Sequence, residues 1–141
     1  MFGANSETTI ESKIGKVESS SERIYNFLSD FNNFEHLVPQ DKIENWQATE
    51  EECSFNVKGV GQFGMKIIEK EPFKLVKVSN SPKVPFDFFL WIQLKELAEN
   101  DTRIKITIKA YLNPMLKMVA QKPLQQMVDT IVDQLSTSFA K

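Results

Sequence analysis

Few residues in this chain are of types that carry out chemistry. His36 is the sole histidine, and as a general base it would need an orienting carboxylate and a place in a pocket. Its neighbour Glu35 points elsewhere on a helix, and Asp30 and Asp41 are near it only in sequence, so His36 reads as a surface or loop residue. Cys53 is the sole cysteine. No basic cluster adjoins it and it alternates with polar neighbours, the pattern of a buried, inert thiol on a strand. One histidine and one cysteine are poor ligand stock, so no metal site and no cofactor are expected. The stretch Gly59-Val60-Gly61-Gln62-Phe63-Gly64 has the glycine content of a phosphate loop. It lacks the Gly-Lys-Ser/Thr ending and a following helix, so a hairpin turn with a bulge is expected instead. Polar residues that could visit a pocket (Tyr25, Glu69, Gln93, Arg103, Tyr111) are more simply outward or hydrogen-bonded. No catalytic residue is expected.

The elements that must position any site are easier to read. From Leu124 onward, Leu124, Met127, Val128, Ile131, Val132, Leu135 and Phe139 recur at steps of three and four, one stripe of a helix. Burying such a stripe favours docking by roughly 10 to 20 kcal/mol before entropy is subtracted, so the helix needs a partner surface. Asn113 is a fitting N-cap and Pro114 suits the first helical position. Pro123 lies deep enough to predict a kink or break near Gln121 and Lys122.

Upstream, Thr8 to Glu18 is expected as a first strand behind a frayed tail over residues 1–7. Ser19-Ser20-Ser21-Glu22 signals a helix start, with Ile24, Phe27 and Leu28 on one face. A second short helix is expected over Phe34 to Val38, before Pro39. The pattern then changes to period two. Strands are expected over Lys42 to Ala48, around Cys53 to Val57, from Met65 to Glu71, over Lys74 to Ser79, over Phe86 to Glu96 and over Thr102 to Leu112. In the last, Ile104, Ile106, Ile108, Ala110 and Leu112 face one way and Arg103, Lys105, Thr107, Lys109 and Tyr111 the other, as in an antiparallel sheet with one wet face. On the preceding strand both faces carry large apolar groups. Phe89 and Trp91, if convex, would form a patch suited to a homodimer contact.

With 141 residues the chain is long enough for one domain with a substantial core. Seventeen basic and nineteen acidic residues leave a net charge of −2, which offers no general attraction to nucleic acid or anionic lipid. Eleven phenylalanines point to a large apolar interior or lining. A lone cysteine requires no oxidising compartment. The start of the chain has no basic and apolar leader pattern, and no run is long enough to span a membrane. A cytoplasmic protein is expected.

The order of elements resembles the START-like superfamily of helix-grip proteins, which includes birch-pollen-allergen and polyketide cyclase types (SRPBCC). Ser20 to Asp30 looks like that superfamily's entry into its first helix, Phe34 to Pro39 like its second helix and exit, and Asn113-Pro114 with the following stripe like its terminal helix. The resemblance implies a single 1–141 α+β domain: a curved antiparallel sheet of six to seven strands around a long C-terminal helix, with two short helices after the first strand. It also implies a cavity between helix and sheet for a small hydrophobic or amphipathic molecule, such as a lipid, isoprenoid or polyketide-like compound. The lining is expected to be drawn from Phe55, Val57, Met65, Ile67, Val76, Val78, Phe88, Leu90, Ile106, Ile108, Ala110, Met115, Met118, Leu124, Met127, Val128 and Ile131. Two rival readings are a cyclase/dehydratase-type enzyme acting on such a ligand, and a protein-interaction module with a filled core.

Overall fold

The computed structural model describes residues 6–139 apart from 83. Its strands are β1 (Ser6–Glu11), β2 (Gly15–Val17), β3 (Ile43–Ala48), β4 (Glu52–Val57), β5 (Gly61–Glu71), β6 (Leu75–Asn80), β7 (Phe88–Ala98) and β8 (Asp101–Leu112). They form one antiparallel sheet in the order β1-β8-β7-β6-β5-β4-β3, with β2 beside β1 on the same flank of β8. The helices are α1 (Ser21–Leu28) and α2 (Pro114–Ser138), with a 3-10 turn over Phe31–Asn33. The sheet curls without closing, and α2 lies in its concave side against β8, β2 and β1. This is the helix-grip arrangement that the sequence implies.

Three local features explain where the chain departs from simple alternation. The expected first strand is two strands, because Ser12 interrupts it. The Ser12 N–H donates to the Ile106 carbonyl at 2.8 Å, and its hydroxyl accepts the Ile106 N–H at 2.9 Å. The following Lys13 and Ile14 loop out, and α2 holds this bulge: the Lys13 N–H donates to Asp129 at 2.9 Å and Gln125 donates to the Glu11 carbonyl at 2.7 Å. Second, Asp30 caps the 3-10 turn by accepting the Asn32 N–H at 2.9 Å, so the short second helix forms at Phe31–Asn33 rather than over Phe34 to Val38. Third, β3 carries a bulge. Glu44 pairs with Asn56 and Gln47 with Ser54, so one extra residue sits on β3, and Asn45 takes φ +57° to accommodate it. A bulge turns the side chains beyond it to the opposite face.

Other boundaries also move. Ser6 and Glu7, expected in a tail, pair with Leu112 and Tyr111, while residues 1–5 of that tail lie outside the described residues. Phe86 is buried but precedes β7, which begins at Phe88. Asn113 caps α2 by accepting the Leu116 N–H at 2.8 Å. The helix then runs unbroken through Pro123, with no interruption at Gln121 and Lys122. Pro123 removes one backbone donor, and the turn it affects includes the exposed Val119, Gln121 and Lys122.

Candidate functional site

The core is the space between the concave face and α2. β7 settles its parity there: Phe88, Leu90, Ile92 and Leu94 are buried, whereas Phe89 and Trp91 point outward. The outward pair does not form a bare patch. The Lys77 ammonium lies 5.0 Å from the Phe89 ring centroid and 5.3 Å from that of Trp91, and the Lys109 ammonium lies 5.8 Å from Trp91.

Side chains nearly fill the interior. Among the described residues, two small voids between the sheet and α2 are each about 10 Å³, room for about one water at most. One is bounded by Phe31, Phe34, Val38, Trp46, Met65, Val78, Leu90, Ile92, Ile106, Met127 and Ile131. The other is bounded by Phe55, Phe63, Met65, Phe86, Phe88, Ile108, Leu124 and Met127. Both share Met65 and Met127, whose unbranched side chains re-pack more readily than β-branched ones. No ionisable side chain lines either void.

Of the residues assigned to a lining, Phe55, Met65, Val78, Phe88, Leu90, Ile106, Ile108, Leu124, Met127 and Ile131 bound these voids. Val57, Ile67, Val76, Ala110 and Val128 are buried in the surrounding core. Met115 and Met118 are not inside at all: they are 75% and 85% exposed. The first turns of α2 still face the core through Leu116 and Ala120, so Met115 and Met118, which share a side of the helix with Lys122, turn to solvent.

The sequence offers Trp46, like Trp91, Phe88 and Phe89, either as a ligand-stacking aromatic or as core, and gives no lining role to the residues around the 3-10 turn. Counting alternately from Ile43 puts Trp46 on the outer face; the β3 bulge turns it inward. It stacks nearly parallel with Phe55 at 5.0 Å and with Phe34 at 6.4 Å, and Phe55 stacks on Phe63 at 5.8 Å. This file of four rings passes from one void to the other. The indole N–H of Trp46 is buried and has no hydrogen-bond partner. An unmade bond of this kind costs about 1 to 3 kcal/mol, and such a donor in a native interior calls for an explanation.

The remaining chemical candidates are quiet. His36 is exposed. Cys53 is buried, and burial pushes its thiol up to about 12, only partly offset by the Met65 backbone N–H. A thiol held so far from its thiolate is not a nucleophile at neutral pH. The Gly59 to Gly64 stretch is the β4–β5 hairpin, with Gly59 and Gly61 at φ +81° and +136°. Among the described residues, no cluster of His, Cys, Asp or Glu could hold a metal ion, and no helix is long and apolar enough to cross a membrane.

No protein-family model matches the chain, and no curated protein matches it. Solved structures do match its shape. Truncated norcoclaurine synthase from Thalictrum flavum superposes with a TM-score of 0.72 at 14% identity, covering 98% of this chain and 96% of that one. The same enzyme in complex with dopamine and hydroxybenzaldehyde gives 0.67 at 15% identity, covering 98% and 91%. A START superfamily protein from Mycobacterium smegmatis gives 0.64 at 15% identity, covering 97% of both chains. At such identities the likeness shows the fold: this chain has the START-like helix-grip fold.

Proposed function

We propose that the protein binds a small, uncharged apolar or amphipathic molecule between the sheet and α2, and that the molecule carries an oxygen acceptor for the indole N–H of Trp46. The observation that carries this reading is the unpartnered indole donor beside an all-apolar void. An apolar lining supplies affinity by desolvation, and a single placed donor supplies orientation. A ketone, ether or phenol on a lipid, isoprenoid or polyketide-like body has the required form. Norcoclaurine synthase, of the same fold, has been crystallised with two small aromatic molecules, which supports the class of ligand though not its identity.

The voids are far smaller than such a ligand, so binding requires opening. Met65 and Met127 can yield by changing rotamer, and in the head of α2 only Leu116 and Ala120 face the core, so moving it uncovers little apolar surface. The cytoplasm is the compartment this reading assumes.

The test follows the Trp46 indole resonance during titration with a matched alkane and ketone of equal length. Only the ketone should shift the indole proton downfield, and Trp46→Phe should bind both equally. Failure of the ketone to bind at millimolar concentration, or its binding without moving the indole proton, overturns the reading.

The near-filled interior favours one other reading, an interaction module whose outer face docks a protein or a second copy through Phe89 and Trp91. That surface would first have to part with Lys77 and Lys109. A cyclase/dehydratase would have to bring an acid or base inward, and the lining of both voids offers none.

A further inference from the structure

A second concavity lies away from the interior. Where the β5–β6 turn meets the base of the β7–β8 hairpin and the looped-out Ile14, an open groove of about 770 Å³ runs across the sheet end. That is the size of a small-molecule site rather than a protein interface. Its apolar part includes Ile14, 66% exposed, Phe73, 41% exposed, and Leu75. Phe73 sits at φ +67°, a region that bulky residues rarely adopt. Its ring meets Tyr25 edge-on at 5.7 Å, so this conformation keeps an aromatic at the groove wall.

The polar rim is unequal in sign. It carries Lys74, Lys95, Arg103 and Lys105 against Glu71 and Glu96. Glu96 is engaged by the Ser21 N–H at 2.7 Å. Arg103 pairs with Asp101 at 3.0 Å and Lys105 with Glu11 at 3.3 Å. Lys74 and Lys95 have no carboxylate within ion-pair distance among the described residues. Two free ammonium groups, against the one carboxylate of Glu71 that also has no ion pair among the described residues, leave this rim positive beside exposed apolar side chains, which complements a molecule with one negative end and one greasy end.

We infer that this groove is a second binding site, distinct from the helix–sheet interior, for a small amphipathic carboxylate free in solution. The carboxylate pairs with Lys74 and Lys95, and the apolar body lies against Phe73, Leu75 and Ile14. Neither the chemistry nor the place is shared with the Trp46 site, which takes an uncharged acceptor.

The test is an amide NMR titration of the full chain with octanoate, with 1-octanol as the neutral match. Octanoate should shift Leu75, Lys95 and Ile104 and leave the Trp46 indole unmoved, binding at least about tenfold more tightly than octanol. Lys74→Gln with Lys95→Gln should weaken octanoate by about tenfold or more and leave both octanol affinity and the melting temperature unchanged, since both lysines are exposed. The inference is overturned if octanol binds as well as octanoate, or if the shifts gather at Met127 and Trp46. It is also overturned if only phosphatidylglycerol vesicles, and not octanoate, perturb the groove.

Discussion

Gly15 is where the grip is tightest, and it offers a sharp test of how α2 seats on the sheet. Its φ is not in the left-handed region, so the backbone does not demand glycine; space does. A Cβ there would fall far inside van der Waals contact of Val132 Cγ1 and lie 3.2 Å from Ile104 Cγ2. Neither neighbour can swing away. Val132 is buried on a helix, where a valine has one strongly preferred rotamer, and Ile104 is 1% exposed. Gly15→Ala must therefore push α2 off β2 or force a rotamer, at about 2 to 3 kcal/mol. Unfolding entropy for 141 residues is about 0.3 kcal/mol/K, so the melting temperature should fall by about 7 to 10 °C. Val132→Ala alone should cost about 2 kcal/mol through lost burial and a cavity. In the double variant the new methyl occupies the space the valine leaves. Its stability should then lie within about 1 kcal/mol of Val132→Ala, a strongly non-additive cycle. Thermal melts of the four proteins decide it. Additive losses, or a neutral Gly15→Ala, would refute the close approach of β2 and α2.

Pro123→Ala should raise stability by about 1 to 3 kcal/mol in denaturant melts, because it restores a backbone donor inside a helix that is already continuous; a fall would mean that the proline shapes α2. Cys53 should resist a thiol reagent at pH 8 in the folded protein and react fully once unfolded. Its folded value, about 12 against an ordinary 9.0, is raised, so its contribution is intact below pH 9 and declines as pH rises toward 12. Stability of the native chain should accordingly fall more steeply over that window than that of Cys53→Ala, by at most about 1.4 kcal/mol per pH unit; parallel curves would place the thiol in water. Asn113→Ala should cost about 1 kcal/mol by uncapping α2, measured by urea unfolding, and an unchanged midpoint would show the head of the helix to be independent of its cap.

Much of the fold was legible because the pattern is local and repeated. The strict alternation from Ile104 to Leu112 and the stripe from Leu124 to Leu135 each report a face, and together they require a sheet curled on a helix. What escaped depends on single residues. Nothing in the spacing around Ser12 announces that its hydroxyl replaces a strand partner for Ile106. The β3 bulge at Asn45 sets the face of Trp46, so strict alternation from Ile43 cannot place this residue, which the sequence offers only as an aromatic for core or ligand stacking. Asparagine tolerates positive φ, and an Asn before Trp46 was the one available hint. Met115 and Met118 are apolar but lie off the stripe, which runs back from Leu124 through Ala120 to Leu116, so residue type misled where periodicity would not have.

For the proposed function the closed interior must open to take an apolar molecule. Native mass spectrometry of the purified protein, before and after incubation with long-chain ketones, isoprenoid alcohols and aromatic polyketides, tests it directly. One retained molecule per chain is expected, carried from the cell or acquired from one of these classes, with weaker but not abolished retention in Trp46→Phe. A bare mass under every condition would contradict it and leave the near-filled interior as simply a core.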